Sequence, residues 1–138
     1  IDNSSYYSTA GTFILTLNET ELNAIDYRYL VSMLNHPTTL IYLEYVYSKL
    51  DVTGWQWKKK PFSQIPIPKA SYRDQQAIIS LYDEFIASPG KEKLERLSNL
   101  DKKIFDYLGF TDEEIRHTFK KLMVFSEEEA FFYKHLLS

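Results

Sequence analysis

Three consecutive cations, Lys58, Lys59 and Lys60, follow directly on two indoles, Trp55 and Trp57, and the run continues as Pro61-Phe62-Ser63-Gln64-Ile65-Pro66-Ile67-Pro68. Ammonium groups attract phosphates and flat aromatic faces stack on bases, so the pairing of the two residue types points to a polyanion that carries π-faces, which is nucleic acid. Each proline fixes its own φ near about −65° and pushes the residue before it toward extended backbone, so the segment cannot coil. If residues 55–58 form a short strand, Trp55 and Trp57 share one face while Gln56 and Lys58 share the other. Gln56 then lies among cations, and glutamine can pair with adenine through two hydrogen bonds, which makes it the candidate base reader. Lys49 and Lys69 flank the run as further phosphate contacts. A triplet of lysines alone also describes a solvated loop, and it is the adjacent indoles that favour a contact surface.

Other chemistry is sparse. His36, His117 and His135 have no metal-ligand spacing and are expected at the surface or at an interface. The paired carboxylates of Asp112 to Glu114 and Glu127 to Glu129 open helices, where they complement the helix dipole without a catalytic role. No glycine-rich phosphate loop and no nucleophile context is present, so the chain taken alone is not expected to be an enzyme.

The 138 residues fit one domain, 1–138, with a mixed recognition part at 1–70 and a helical part at 71–138. The absence of cysteine excludes disulfides and thiolate metal sites and suits a reducing cytoplasm. The longest apolar stretch, Leu40 to Tyr47, contains Glu44 and is far shorter than the roughly 20 residues that a bilayer requires, so no membrane partner is expected. The opening at Ile1 shows no signal-peptide pattern and no initiator methionine, which reads as a piece of a longer protein. The net charge of −3 conceals an uneven distribution. Lys49, Lys58, Lys59, Lys60, Lys69 and Arg73 are accompanied only by Asp51, whereas the carboxylates crowd the C-terminal part. With a Debye length of about 8 Å at physiological salt, a distant acidic face does not prevent a basic one from binding DNA.

The elements that must position these residues follow from local signals. Thr12 to Leu17 is β-branched and apolar and predicts a strand, with Trp55 to Lys58 a second, short one. Asp26 is the expected N-cap of a helix ending near Asn35, and Pro37 suits the first turn of the next, which runs through Leu40, Leu43, Tyr47 and Leu50. Ser71 with Asp74 forms a capping-box-like start to a helix that Pro89-Gly90 ends, and a long helix through Leu94, Leu97, Ile104 and Leu108 stops at Gly109. Thr111 to Glu114 and Ser126 to Glu129 each announce one more helix. The expected class is α+β: a small β element with two N-terminal helices, followed by a helical C-terminal half.

In order, Thr12 to Leu17, Tyr29-Leu30-Val31-Ser32-Met33-Leu34-Asn35, Thr53-Gly54 to Pro68, Gln75-Gln76-Ala77-Ile78-Ile79 and Leu100 to Ile115 follow a known pattern. Over roughly residues 12 to 115 the chain resembles the TaqI-like C-terminal specificity domain. That domain is the target-recognition part of adenine-N6 DNA methyltransferases and of type II restriction-modification enzymes. Its most specific pieces here are Ile65-Pro66-Ile67-Pro68 leading to the Gln75-Gln76 helix, and the helix ending in Leu108-Gly109-Phe110-Thr111. The resemblance implies docking on double-stranded DNA, while a separate catalytic methyltransferase domain uses S-adenosylmethionine. The Asn-Pro-Pro-Tyr motif of that catalytic domain does not occur in this chain, which would hold no cofactor itself. Two other readings stay open. One is a fragment of a type I restriction specificity subunit. The other is a helical interaction module docking through Phe125, Phe131, Phe132 and Tyr133 without touching DNA.

Overall fold

The computed structural model describes residues 24–46 and 62–122. Among them five helices follow in order: α1 Tyr27–Asn35, α2 Pro37–Val46, α3 Tyr72–Ala87, α4 Gly90–Leu108 and α5 Asp112–Leu122. Their boundaries are set by local chemistry. The Asp26 carboxylate accepts from the Arg28 N–H at 2.7 Å and caps α1, and α2 begins at Pro37, whose missing N–H costs nothing in a first turn. The buried Thr39 hydroxyl donates to Met33 O at 2.7 Å, satisfying a carbonyl at the end of α1.

Two capping boxes open α3 and α5, and they differ by one methylene. Glu114 reaches back to accept from both the N–H and the hydroxyl of Thr111, each at 2.8 Å, while the Thr111 hydroxyl accepts from the Glu114 N–H at 3.3 Å. These bonds hold the Glu114 carboxyl below its ordinary pKa. At Ser71 the shorter Asp74 instead accepts from the serine hydroxyl at 2.6 Å, and that hydroxyl accepts from the Asp74 N–H. Gly109 ends α4 with φ of 75°, a left-handed conformation costly to a side chain bearing Cβ. The Phe110 N–H then returns to Phe105 O at 3.0 Å.

The expected α+β class is corrected by these elements: no strand occurs among the described residues, and the architecture there is α. The reason lies in the packing. Among the described residues the buried apolar side chains of each helix pack against another helix. Helices α3 and α4 form a hairpin across Ser88-Pro89, α1 lies against α3, and α2 lies against α5. Tyr29 and Met33 of α1, Ile78, Ile79 and Tyr82 of α3, and Leu100 and Ile104 of α4 make the larger core. Phe105, Ile115 and Phe119 make a second one. The two segments expected as strands, 12–17 and 55–58, and the helix expected from Ser126 lie outside the described residues.

Candidate nucleic-acid interface

The buried stripe of α3 runs Gln75, Ile78, Ile79, Tyr82, a spacing of three, one and three that keeps one face inward. Its first member is polar, and the environment explains why. Gln75 is 6% exposed, and its amide nitrogen donates to Ala24 O at 2.7 Å and to Ala70 O at 3.1 Å. Its amide oxygen accepts from the Asp26 N–H at 3.1 Å. One side chain thus fastens the segment entering α1 to the segment entering α3. Replacing Gln75 with methionine keeps the volume and removes these bonds. The expected loss is about 2–4 kcal/mol of unfolding free energy, because half-buried backbone groups are left unpaired. Urea denaturation of both proteins measures it, and a loss under about 1 kcal/mol would mean that the amide is not the fastening.

The proline-rich segment is held at further points. The Tyr29 hydroxyl donates to Pro68 O at 2.8 Å and the Tyr42 hydroxyl to Gln64 O at 3.1 Å. Burial pushes the Tyr29 phenol above its ordinary pKa, so it remains a donor throughout the physiological range. Ile67 and Ala70 pack on the core, while Gln64, Pro66 and Lys69 face outward. The segment is therefore stapled from beneath and leaves alternate positions open above.

Of the residues expected to contact nucleic acid, Lys69 is placed by the structure, exposed at the end of this segment. Lys49, Trp55, Gln56, Trp57, Lys58, Lys59 and Lys60 lie outside the described residues, as do Phe125, Phe131, Phe132 and Tyr133. The structure adds three neighbours that the sequence reading did not single out as contacts. Tyr72 is 79% exposed at the first position of α3, and Arg73 and Gln76 are exposed beside it. For Arg73 the signal was present in the helical period, which sets it opposite the buried stripe, whereas Tyr72, three residues before Gln75 and seven before Ile79, falls on the buried side by period and is nevertheless exposed.

His36 corrects the expectation of a surface histidine: it is 0% exposed. One ring nitrogen, Nε2, lies 3.1 Å from Asp101 O, and a carbonyl can only accept, so Nε2 carries the proton. The other, Nδ1, then accepts from the Thr38 hydroxyl at 2.8 Å and faces the Thr38 N–H at 3.3 Å. The ring meets Phe105 edge-on at 4.4 Å between centroids. Burial lowers the imidazole pKa to about 4, against a smaller opposing effect of the bond to Asp101 O. His36 is a neutral structural joint between the α1–α2 turn and α4.

On α5 a shallow concavity of about 580 Å³ sets Glu113 and Glu114 beside Arg116, His117 and Lys120. Opposite charges offset one another there, so no single ligand class is selected. Among the described residues no three histidine or acidic side chains converge in a way that could hold a metal ion, and no helix is long and apolar enough to cross a membrane. No protein-family model, no curated protein and no solved structure matches the chain.

Proposed function

We propose that this chain is the DNA-recognition module of an adenine-N6 DNA methyltransferase or type II restriction-modification enzyme, working in the cytoplasm and without catalytic residues of its own. In this reading the chemistry and its S-adenosylmethionine belong to a separate catalytic domain. Lys58, Lys59 and Lys60 meet phosphates, Trp55 and Trp57 stack, and Gln56 reads a base edge, with Lys49 and Lys69 at the margins. One observation carries the reading. Lys69 and Arg73, at the described end of the cationic stretch, are exposed on backbone that Tyr29 and Gln75 pin to the helical core. Backbone that is already fixed adds no ordering cost of its own when the cations it carries meet a phosphate backbone.

Replacement of Lys58, Lys59 and Lys60 together by alanine is expected to flatten the dependence of log affinity on log salt by about 2 to 3 units, one per phosphate released. Fluorescence anisotropy with labelled duplex DNA over a series of salt concentrations measures it. An unchanged slope removes the triplet from the interface. A module that docks only on proteins shows no salt-dependent DNA binding, which separates that reading from this one.

A further inference from the structure

We infer that Tyr72 is a stacking face for a DNA base that has left the helix stack, with Lys69 and Arg73 holding the phosphates on either side; this rests on the DNA reading above. The ring is the most exposed large hydrophobic group among the described residues, at 79%, and it sits at a helix start where packing does not require an aromatic. Its sequence neighbours are matched to the same ligand. Lys69, three residues before it, and Arg73, next to it, are both exposed, and Arg73 makes no ion pair among the described residues. The nearest carboxylate in sequence, Asp74, is held by the Ser71 hydroxyl at 2.6 Å as part of the helix cap. Gln76, one turn along α3 and exposed, adds an amide able to meet a base edge.

The backbone beneath the ring is fixed from both directions. Pro68 O is bonded to Tyr29, Ala70 O to Gln75, and the Gln75 N–H to Ser71 O at 2.9 Å. The backbone that carries the ring is thus already ordered before any ligand arrives, and only side-chain rotation remains to be fixed. In an intact duplex the base faces are covered by their neighbours, leaving edges and phosphates to contact. A tyrosine face flanked by two cations therefore gains most from DNA in which one base is unpaired and turned outward.

The test uses the full chain and two labelled probes: a short, fully paired duplex, and the same duplex carrying one unpaired base. Wild-type protein is expected to bind the second probe more tightly, by roughly 5- to 150-fold for a single base–aromatic stack. Tyr72→Ala should bring the two affinities together with an unchanged circular dichroism spectrum, and Tyr72→Trp should retain the preference. Arg73→Ala should weaken both probes alike and reduce the salt slope by about 1 unit. Equal affinity of the wild-type protein for both probes, or a preference that survives Tyr72→Ala, overturns the inference while salt-dependent duplex binding leaves the DNA reading standing. Absence of salt-dependent binding to either probe overturns both.

Discussion

Alanine in place of Phe105 is expected to lower the unfolding free energy by about 3–5 kcal/mol, the range for removing a fully buried phenyl ring. The matching fall in melting temperature is roughly 10–20 °C. Phe105 is 0% exposed, and three rings close around it: His36 at 4.4 Å, Phe110 at 5.5 Å and Phe119 at 5.7 Å between centroids. It belongs to α4, yet it carries α5 through Phe119 and touches the α1–α2 turn through His36. Truncation therefore leaves a void where three elements meet, and relaxation of any one of them opens the contact with the others. Denaturant melts of wild type, Phe105→Ala and Phe105→Leu give the measurement, with leucine expected to recover most of the loss. A penalty below about 1.5 kcal/mol for the alanine variant would show that the ring is not a joint.

The second large effect is set by pH. His36 has a pKa near 4 in the folded chain because it is dry, against an ordinary value of 6.5 once unfolded. Below pH 6.5 the unfolded chain takes up a proton that the folded chain refuses, so folding stability from this group is complete above 6.5. It falls as the pH drops and is exhausted near pH 4, for a total of about 3 kcal/mol. Protonation would also set an N–H of the ring against the Thr38 N–H, which now faces the Nδ1 lone pair. Thermal melts between pH 7 and pH 5, above the range in which most carboxylates titrate, isolate the contribution. His36→Gln should flatten that stretch of the stability curve, and a curve as steep as the wild type's would exclude His36 as its source. The two predictions are coupled. A void beside the imidazole admits water and weakens the desolvation that lowers its pKa, so the Phe105→Ala protein should also lose less stability on acidification.

What the sequence made legible was whatever is decided within one turn of chain. Asp26, Ser71 and the pair Thr111 and Glu114 announced helix starts because a cap needs only a side-chain oxygen beside the N–H groups two or three residues ahead. Pro37 and Gly109 marked boundaries for equally local reasons. Partners distant in the chain were not legible. Nothing near His36 indicates that Asp101, 65 residues away, supplies the carbonyl that makes burial tolerable. Nothing near Gln75 indicates that its amide is used on the chain around Ala24 and Asp26. The α+β expectation is corrected on the described residues, where every element is a helix and helices cover helices; the two apolar runs that suggested strands, 12–17 and 55–58, lie outside them. Of the candidate interface, the sequence located the cationic stretch, and the structure supplied the footing of its last part and the exposed Tyr72.

The proline segment is tied down through its main-chain oxygens, those of Gln64, Pro68 and Ala70. Such anchors are indifferent to the identity of the residues they hold. A side chain that points away from the core, such as that of Gln64, can therefore be rewritten without loosening the mount. A tether of this kind behaves as an interchangeable cassette, in which new target preferences can be explored by mutation, or by a protein engineer, while the scaffold stays as it is.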